Sequence, residues 1–209
     1  FYEDTVRVTS VIPSVGASSG GVTVMAVGGP FSESEQLRCR IGENVGSATF
    51  ISVDTLMCVT PMQSVGVTRL SVSLNGQDYS EAVAFEYVRS HVVEGVEPSF
   101  GPLSGGTFVS VHGEHFDRRV EYVCRFGEAD VASEYVSDSL VRCLSPMAGE
   151  GQVVLLGVRA LGHPDAPGVV SFEYREGVSV SGVLPSRLLS KSGSKFYVSG
   201  GPFESTSVF

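Results

Sequence analysis

The sequence predicts an all-β protein made of consecutive, related β-sandwich domains. One phrase occurs three times, as PSVGASSGGVTVMAVGGPF from Pro13, PSFGPLSGGTFVSVHGEHF from Pro98 and PSRLLSKSGSKFYVSGGPF from Pro185. The three prolines are 85 and 87 residues apart. Glycine (25 residues) and proline (10 residues) mark many turns among Val, Ser and Thr, and no long stripe of helical period occurs. Seven or so short strands in a unit of about 85 residues are typical of a β-sandwich.

The cysteines and a closing strand recur at the same distances in both units. The first cysteine follows the repeated proline by 26 residues, and the second cysteine follows the first by 19, at Cys39, Cys58, Cys124 and Cys143. The first unit closes with AFEYV at 84–88 and the second with SFEYR at 171–175. Two extra residues of the second unit fall before its closing strand, in a hairpin tip, where insertions are tolerated. This agreement establishes a tandem repeat.

The strand pattern supports the sandwich. RLSVSLNG places Leu70, Val72 and Leu74 on one face and the intervening serines on the other. The dipeptide Asn75-Gly76 then predicts a two-residue hairpin. In the second unit the predicted buried positions are Val154, Leu156, Val158, Val170, Phe172 and Tyr174.

The order of glycines, cysteines and closing aromatic strand resembles the IPT/TIG domain, the immunoglobulin-like module shared by plexin-type receptors and some transcription factors. The second unit reads PSFGPLSGGTFVSVHGEHF, YVCRFG, SLVRCLSP and SFEY, and the first unit matches it piece by piece. The resemblance departs at Gly29–Pro30 and in the missing Asn-Gly of the second hairpin. It implies tandem immunoglobulin-like (IPT/TIG) β-sandwiches in a linear array. The expected divisions are the end of a preceding unit at 1–4, domains at 5–88 and 89–175, and a partial unit at 176–209.

Three states are open to the four cysteines: buried free thiols, a zinc site or disulfides. Zinc sites use closely spaced ligand pairs that converge on one ion, whereas these pairs belong to separate units. We therefore expect the bridges Cys39–Cys58 and Cys124–Cys143, each contributing on the order of 3 kcal/mol to stability. Because disulfides persist in oxidising compartments, we also expect the protein outside the cell or at the cell surface.

Composition argues against several functions. The chain has 14 basic and 23 acidic residues, and its two lysines are Lys191 and Lys195. Without a basic stripe to neutralise phosphates, we expect no nucleic-acid partner. No apolar run is long enough for membrane insertion of this segment. No nucleophile motif or phosphate-binding loop occurs either, so we expect a protein that is not an enzyme and has no cofactor.

One stretch could be taken for a metal site. HGEHFD contains His112, Glu114, His115 and Asp117. The same position reads VGGPFS in the first unit and SGGPFE in the third. What recurs is therefore a glycine-containing turn before an apolar anchor, at Phe31, Phe116 and Phe203. We expect the histidines to lie in a solvated loop and to bind no metal.

Other polar residues have simple interpretations. His91 lies in a connector and His163 in a hairpin tip, so we expect both at the surface. The carboxylates Glu128, Asp130 and Glu134 lack the spacing of a calcium loop, and a solvated acidic face is expected instead.

The connectors have a constant length. Eleven residues separate the closing tyrosine from the next repeated proline at all three places. Because flexible linkers vary freely in length, constancy favours a fixed pose of each domain against the next. Both ends of the chain fall inside a unit, which indicates a segment of a longer repetitive polypeptide. Donor-strand addition or covalent continuity would then cover the candidate assembly contacts, Phe1, Tyr2, Phe196, Val198 and Phe203.

These observations favour an extracellular structural protein, a rod, stalk or filament of end-to-end stacked domains. Its expected partners are neighbouring copies or segments of the same protein, with other surface proteins or glycans as further candidates. The alternative is a receptor or adhesin ectodomain whose IPT/TIG domains space or present a ligand-binding head. An intracellular DNA-binding role and an enzyme with attached modules are less favoured.

Overall fold

The computed structural model describes residues 6–163, 168–187, 193 and 195–201. Across these ranges the chain is all-β and contains no helix, as the sequence predicts. A membrane-spanning helix is accordingly not found in the described part of the chain. Two immunoglobulin-like domains follow each other, and the first hairpin of a third unit comes after them.

The first domain is a sandwich of two sheets. Its strands are β1 (Arg7–Ile12), β2 (Val15–Ala17), β3 (Thr23–Gly29), β4 (Arg38–Ile41), β5 (Asn44–Ser47), β6 (Thr49–Ser52), β7 (Thr55–Val59), β8 (Gly66–Ser73) and β9 (Val83–Val88). One sheet has the order β1-β3-β7-β6 and the other the order β2-β9-β8-β4-β5. All neighbours are antiparallel except β2 and β9, which run parallel.

The second domain repeats this topology with one difference. Its strands are β10 (Val92–Glu97), β11 (Phe100–Pro102), β12 (Phe108–Glu114), β13 (Tyr122–Phe126), β14 (Ala129–Ser137), β15 (Leu140–Leu144), β16 (Gln152–Ala160) and β17 (Val169–Arg175). The single long β14 pairs with β13 at one end and with β15 at the other. In the first domain the corresponding stretch is divided into β5 and β6, one in each sheet.

Each domain has its own core, crossed by a disulfide. Cys39 of β4 is joined to Cys58 of β7, and Cys124 of β13 is joined to Cys143 of β15, with Cα–Cα distances of 6.1 and 6.4 Å. Each bridge therefore links the two layers of its sandwich. Alternate residues of the closing strand are fully buried, among them Phe85, Tyr87 and Phe172. These rings fill the space between the sheets beside the sulfur atoms.

The predicted two-residue hairpin at Asn75-Gly76 is wrong. β8 ends at Ser73 and β9 begins only at Val83. The Asn75 side-chain oxygen accepts hydrogen bonds from the backbone N–H groups of Gln77 and Asp78, so this side chain organises a wider loop. Both faces of β8 are buried near its end, because the two serines that alternate with Leu70 and Val72 are buried as well.

A third unit begins in the same way as the first two. Strand β18 (Ser179–Leu184) pairs with β19 (Tyr197–Gly201), and a bulge near its start matches the bulges in β1 and β10. A glycine allows close approach at the same point in all three hairpins. A Cβ at Gly28, Gly113 or Gly200 would lie 1.9 Å from a carbonyl oxygen of the neighbouring strand. The repeated glycine is therefore needed for close strand contact.

Candidate functional site

The two domains meet at an interface that we call the first joint. The connection that runs through it is short and is held by hydrogen bonds. Strand β9 ends at Val88 and β10 begins at Val92, so three residues connect the domains. The Ser18 N–H donates to the Val88 carbonyl at 2.8 Å. The Ser19 N–H donates to the Ser90 hydroxyl at 3.1 Å. The end of β9 and the middle residue of the connection thus lie against the first domain.

The last residue of this connection, His91, is inserted into the second domain. Its side chain is 4% exposed, which makes the expected surface position wrong. The ring stacks on Phe116 at 5.4 Å between centroids and meets Tyr122 edge-on at 4.9 Å. His91 Nε2 lies 2.8 Å from the Val158 carbonyl oxygen, and because that oxygen can only accept, Nε2 carries the proton. Burial lowers the pKa of His91, so the neutral imidazole is the form that fits this site.

An ion pair crosses the joint. The Arg119 guanidinium donates to both carboxylate oxygens of Glu86, at 2.6 and 3.1 Å. Asp117 holds the same guanidinium from the other side at 2.8 Å. Hydrogen bonds from Arg119 lower the pKa of Asp117, and the two carboxylates together raise the pKa of Arg119. Because these groups are partly exposed to solvent, the pair contributes little stability, but its two-pronged geometry fixes orientation.

A hairpin tip forms the third contact. The connection after β16 reaches the first domain, where the Gly162 carbonyl accepts a hydrogen bond from the Thr23 N–H at 3.2 Å. His163 lies over Gly21, so closely that a Cβ at Gly21 would be 3.1 Å from the His163 Nε2 atom. His163 is partly buried, so its expected surface position is only partly correct. The first joint is therefore held at the connection, at Arg119 and at this tip.

Beside the first joint runs an open groove of about 570 Å³. It is lined by Ser18, Ser19, Met62, Gln63, Ser64, Val65 and Ser90. Its walls offer hydroxyl groups and one exposed thioether, without a nucleophile–base pair or converging charges. The contacts described above hold one domain against the other.

The HGEHFD stretch does not assemble a metal site. His112 and His115 are exposed, and Asp117 is engaged by Arg119. Within the residues the structure describes, no group of three or more His, Cys, Asp and Glu side chains is placed to hold a metal ion. Phe31 and Phe116 are buried anchors in their domains, whereas Phe203 lies outside the described residues.

The acidic face of the second domain is partly ion-paired. Asp130 accepts hydrogen bonds from Arg159 and Arg125, which lower the pKa of this carboxyl. Glu134 lies 3.8 Å from Arg142. Glu128, Asp130 and Glu134 are all exposed, as expected, and the arginines that converge on Asp130 add ion pairs at this solvated face.

The candidate assembly contacts remain predictions. Phe196 and Val198 are exposed, at 56% and 41%. Phe1, Tyr2 and Phe203 lie outside the described residues. The residues that sequence reasoning missed are Arg119 and Glu86. Glu86 recurs as Glu173 in the FEY motif, which is a weak signal, and Arg119 has no counterpart in the first unit.

The two disulfides indicate an oxidising compartment, and the segment is extracellular or at the cell surface. Free cysteines are not found, since all four in the chain are bridged.

Comparison with known proteins agrees with the fold. The chain is 26% identical to Plexin-2 of Caenorhabditis elegans over 94% of its own length and 27% identical to human Plexin-A3 over 93%, but spans 11% of each relative. It is 25% identical to Fibrocystin-L of Mus musculus over 94% of its length and 4% of that protein. Among solved structures, the extracellular region of Plexin A4 superimposes with a TM-score of 0.64 at 18% identity, covering 85% of this chain and 17% of that one.

The family itself is identified by a match to conserved sequence features. The model of the IPT/TIG domain matches twice, at residues 7–87 and 92–166, which together make up more than half of the chain. The first match spans both sheets, the inter-sheet bridge and most of the closing aromatic strand, whereas the second spans β10 to β16 with their bridge and ends before the closing strand β17. The chain therefore belongs to the IPT/TIG domain family, with two domains in tandem.

Proposed function

We propose that this segment is part of a receptor-type ectodomain, in which successive IPT/TIG domains hold a ligand-binding part at a set distance and orientation. The relatives that are plexins support this proposal over a filament. A filament of separate copies would need contacts between chains, whereas the spacer role needs only contacts within one chain.

The observation that carries the proposal is the closed first joint. A three-residue connection could by itself act as a hinge. Here its last side chain, His91, is buried in the second domain, and Arg119 reaches back to Glu86 of the first. A spacer must transmit orientation as well as distance, and contacts on two sides of a short connection restrict both. The joint therefore suits a rigid spacer better than a flexible tether.

An insertion tests this role. Four Gly/Ser residues placed after Arg89 touch neither core, so both domains should remain folded while their fixed relation is lost. We expect small-angle scattering to show a broader distribution of domain separations. The matched control carries the same four residues after Gly149, in an exposed loop of the second domain, and should scatter like the parent chain. An unchanged profile after the Arg89 insertion would disprove the rigid spacer.

A charge removal refines the test. Arg119→Gln removes the ion pair with Glu86, and we expect residual dipolar couplings to report increased motion between the domains. The control is Arg118→Gln, which removes the same charge from the neighbouring exposed residue. Equal effects of the two substitutions would show that net charge, and not the ion pair, governs the joint.

A further inference from the structure

The hairpin tip of the second domain occupies a defined surface on the first. Its Gly162 carbonyl receives the N–H of Thr23, and His163 covers Gly21. Gly21 has a φ of +77°, so the backbone presents a side-chain-free surface to the histidine. Thr23 is paired across the sheet with Val59, which lies on the same face.

The second domain has the same surface in the same register. Gly106 corresponds to Gly21 and has a φ of +78°, yet a Cβ built there would meet nothing within 4 Å. Phe108 corresponds to Thr23 and Leu144 to Val59, and these two residues are also paired across the sheet. The part of this surface that the tip contacts on the first domain, at Gly21 and Thr23, is thus open on the second at Gly106 and Phe108, whereas the adjoining Val59 and Leu144 are exposed in both domains.

Its chemistry is different, since the aromatic ring of Phe108 stands where the first domain has the hydroxyl group of Thr23. Phe108 is 70% exposed and Leu144 is 46% exposed. An adjacent exposed pair of this size favours a partner that removes it from water. Next to Phe108, Thr107 lines a cavity of about 850 Å³ that also borders Phe100, Arg175 and Val178. We call the place where the third unit follows the second domain the second joint. There is room at this joint for a protein segment to lie against the second domain.

We propose that Gly106, Phe108 and Leu144 form an acceptor surface for the hairpin tip of the IPT/TIG unit that follows in the polypeptide. The occupant is indicated by the third unit, whose strands β18 and β19 begin in the register of β10 and β12 after a connection of three residues. A unit continuing in that register brings its own tip to Phe108, as the second domain brings its tip to Thr23. A backbone carbonyl of the tip accepts a hydrogen bond from the Phe108 N–H, and the tip places an apolar side chain where the first joint has His163.

This inference rests on the proposed spacer function, because it extends the fixed geometry of the first joint to the second. The two can fail separately. The insertion after Arg89 concerns contacts of the first joint, whereas the acceptor surface concerns Phe108 and Leu144 alone.

The experiment completes the third unit. The chain through Phe203 is continued by a copy of residues 117–175, which supplies a full domain with its own tip and disulfide. Hydrogen exchange at the Phe108 amide is compared with that in the 209-residue chain. We expect exchange to slow about tenfold or more, and further when the copied tip carries His163→Leu. Phe108→Ser should reverse the protection, whereas the control Val153→Ser, an exposed apolar position of the same domain, should not.

Unchanged exchange at Phe108 in a chain whose third disulfide has formed would overturn the proposal. If that unit does not fold, the tip is supplied as a cyclic peptide of residues 157–169 added to the 209-residue chain. Saturable shifts of the Phe108 and Leu144 amide resonances would support the acceptor surface. No shift at millimolar peptide would contradict it.

Discussion

The two domains have the same fold, and each has a disulfide at the same position, but their N-terminal ends differ in chemistry. In the first domain, three apolar side chains contribute to this end of the core: Val6, Phe31 and Leu37. The second domain has a ring cluster at the same three positions: His91, Phe116 and Tyr122. The repeat thus keeps the phenylalanine of this region and replaces the two aliphatic side chains by larger rings that carry polar atoms.

The polar atoms of the second cluster connect it to the joint. Tyr122 Oη accepts the N–H of Asp117 at 3.0 Å, and Asp117 in turn holds Arg119, which reaches Glu86. The first domain has Leu37 at the tyrosine position and cannot make this chain of contacts. The comparison teaches that a core position can also shape an interdomain contact when its side chain carries one polar atom.

The largest expected effect is loss of the shared aromatic anchor. Phe116→Ala and Phe31→Ala each empty a fully packed site and should lower the free energy of unfolding of their own domain by about 3–5 kcal/mol. Only Phe116→Ala removes a ring against which His91 packs, so only that variant should accelerate amide exchange at residues 89–91. Urea unfolding and hydrogen exchange measure the two effects. Faster exchange in both variants would mean that the two ends couple equally to the joint.

Removing either bridge should cost somewhat less. Replacing Cys39 and Cys58 by Ala, or Cys124 and Cys143 by Ala, should destabilise the affected domain by about 3 kcal/mol. The two costs should be similar because both bridges span 19 residues. Urea unfolding monitored at resonances of each domain measures them separately. A loss that spreads fully to the other domain would show that the domains unfold as one cooperative unit.

Acid should distinguish the two domains. Burial lowers the pKa of His91 below 6.5, so between that lowered value and 6.5 the unfolded chain binds more protons than the folded one. The contribution of neutral His91 to the stability of the second domain is complete above pH 6.5 and is lost as pH falls through this window. The free energy of unfolding then changes by at most about 1.4 kcal/mol per pH unit.

Measuring the free energy of unfolding of each domain from pH 8 to pH 5 tests this pH dependence. His91→Val, which installs the residue type of Val6, should remove the slope from the second domain, while exposed His112→Val should not. The carboxyl of Asp117 titrates below 3.8 and does not contribute in this range. A slope that survives His91→Val would assign the pH dependence to another group.

The smallest effect concerns one oxygen atom. Tyr122→Phe deletes the acceptor of the Asp117 N–H and should cost about 1 kcal/mol of second-domain stability. It should also increase motion of the Arg119 side chain, measured by relaxation of its Nε–Hε group. Tyr135→Phe, at an exposed tyrosine of the same domain, is the control. If Arg119 is no more mobile in Tyr122→Phe than in the control, Tyr122 has no part in holding the joint.

Much of the fold was predictable because it depends on local and periodic signals. Repeated distances between proline, cysteine and closing aromatic residues identify the units and their bridges without coordinates. Alternation correctly buries Leu156, Val158, Phe172 and Tyr174. The Asn75-Gly76 loop was mispredicted because a side chain of the loop bonds its own backbone and competes with the two-residue turn.

The amino-acid sequence by itself determined that this protein is a tandem of bridged sandwiches, since spacing and hydrophobic period act along the chain. Only the tertiary structure decided what the joint is. A histidine in a connector is polar and looks solvated, and its burial follows from rings 25 and 31 residues away in the sequence. Likewise, Arg119 meets Glu86 across 33 residues. Such contacts depend on how two folded surfaces meet, and no local period encodes that.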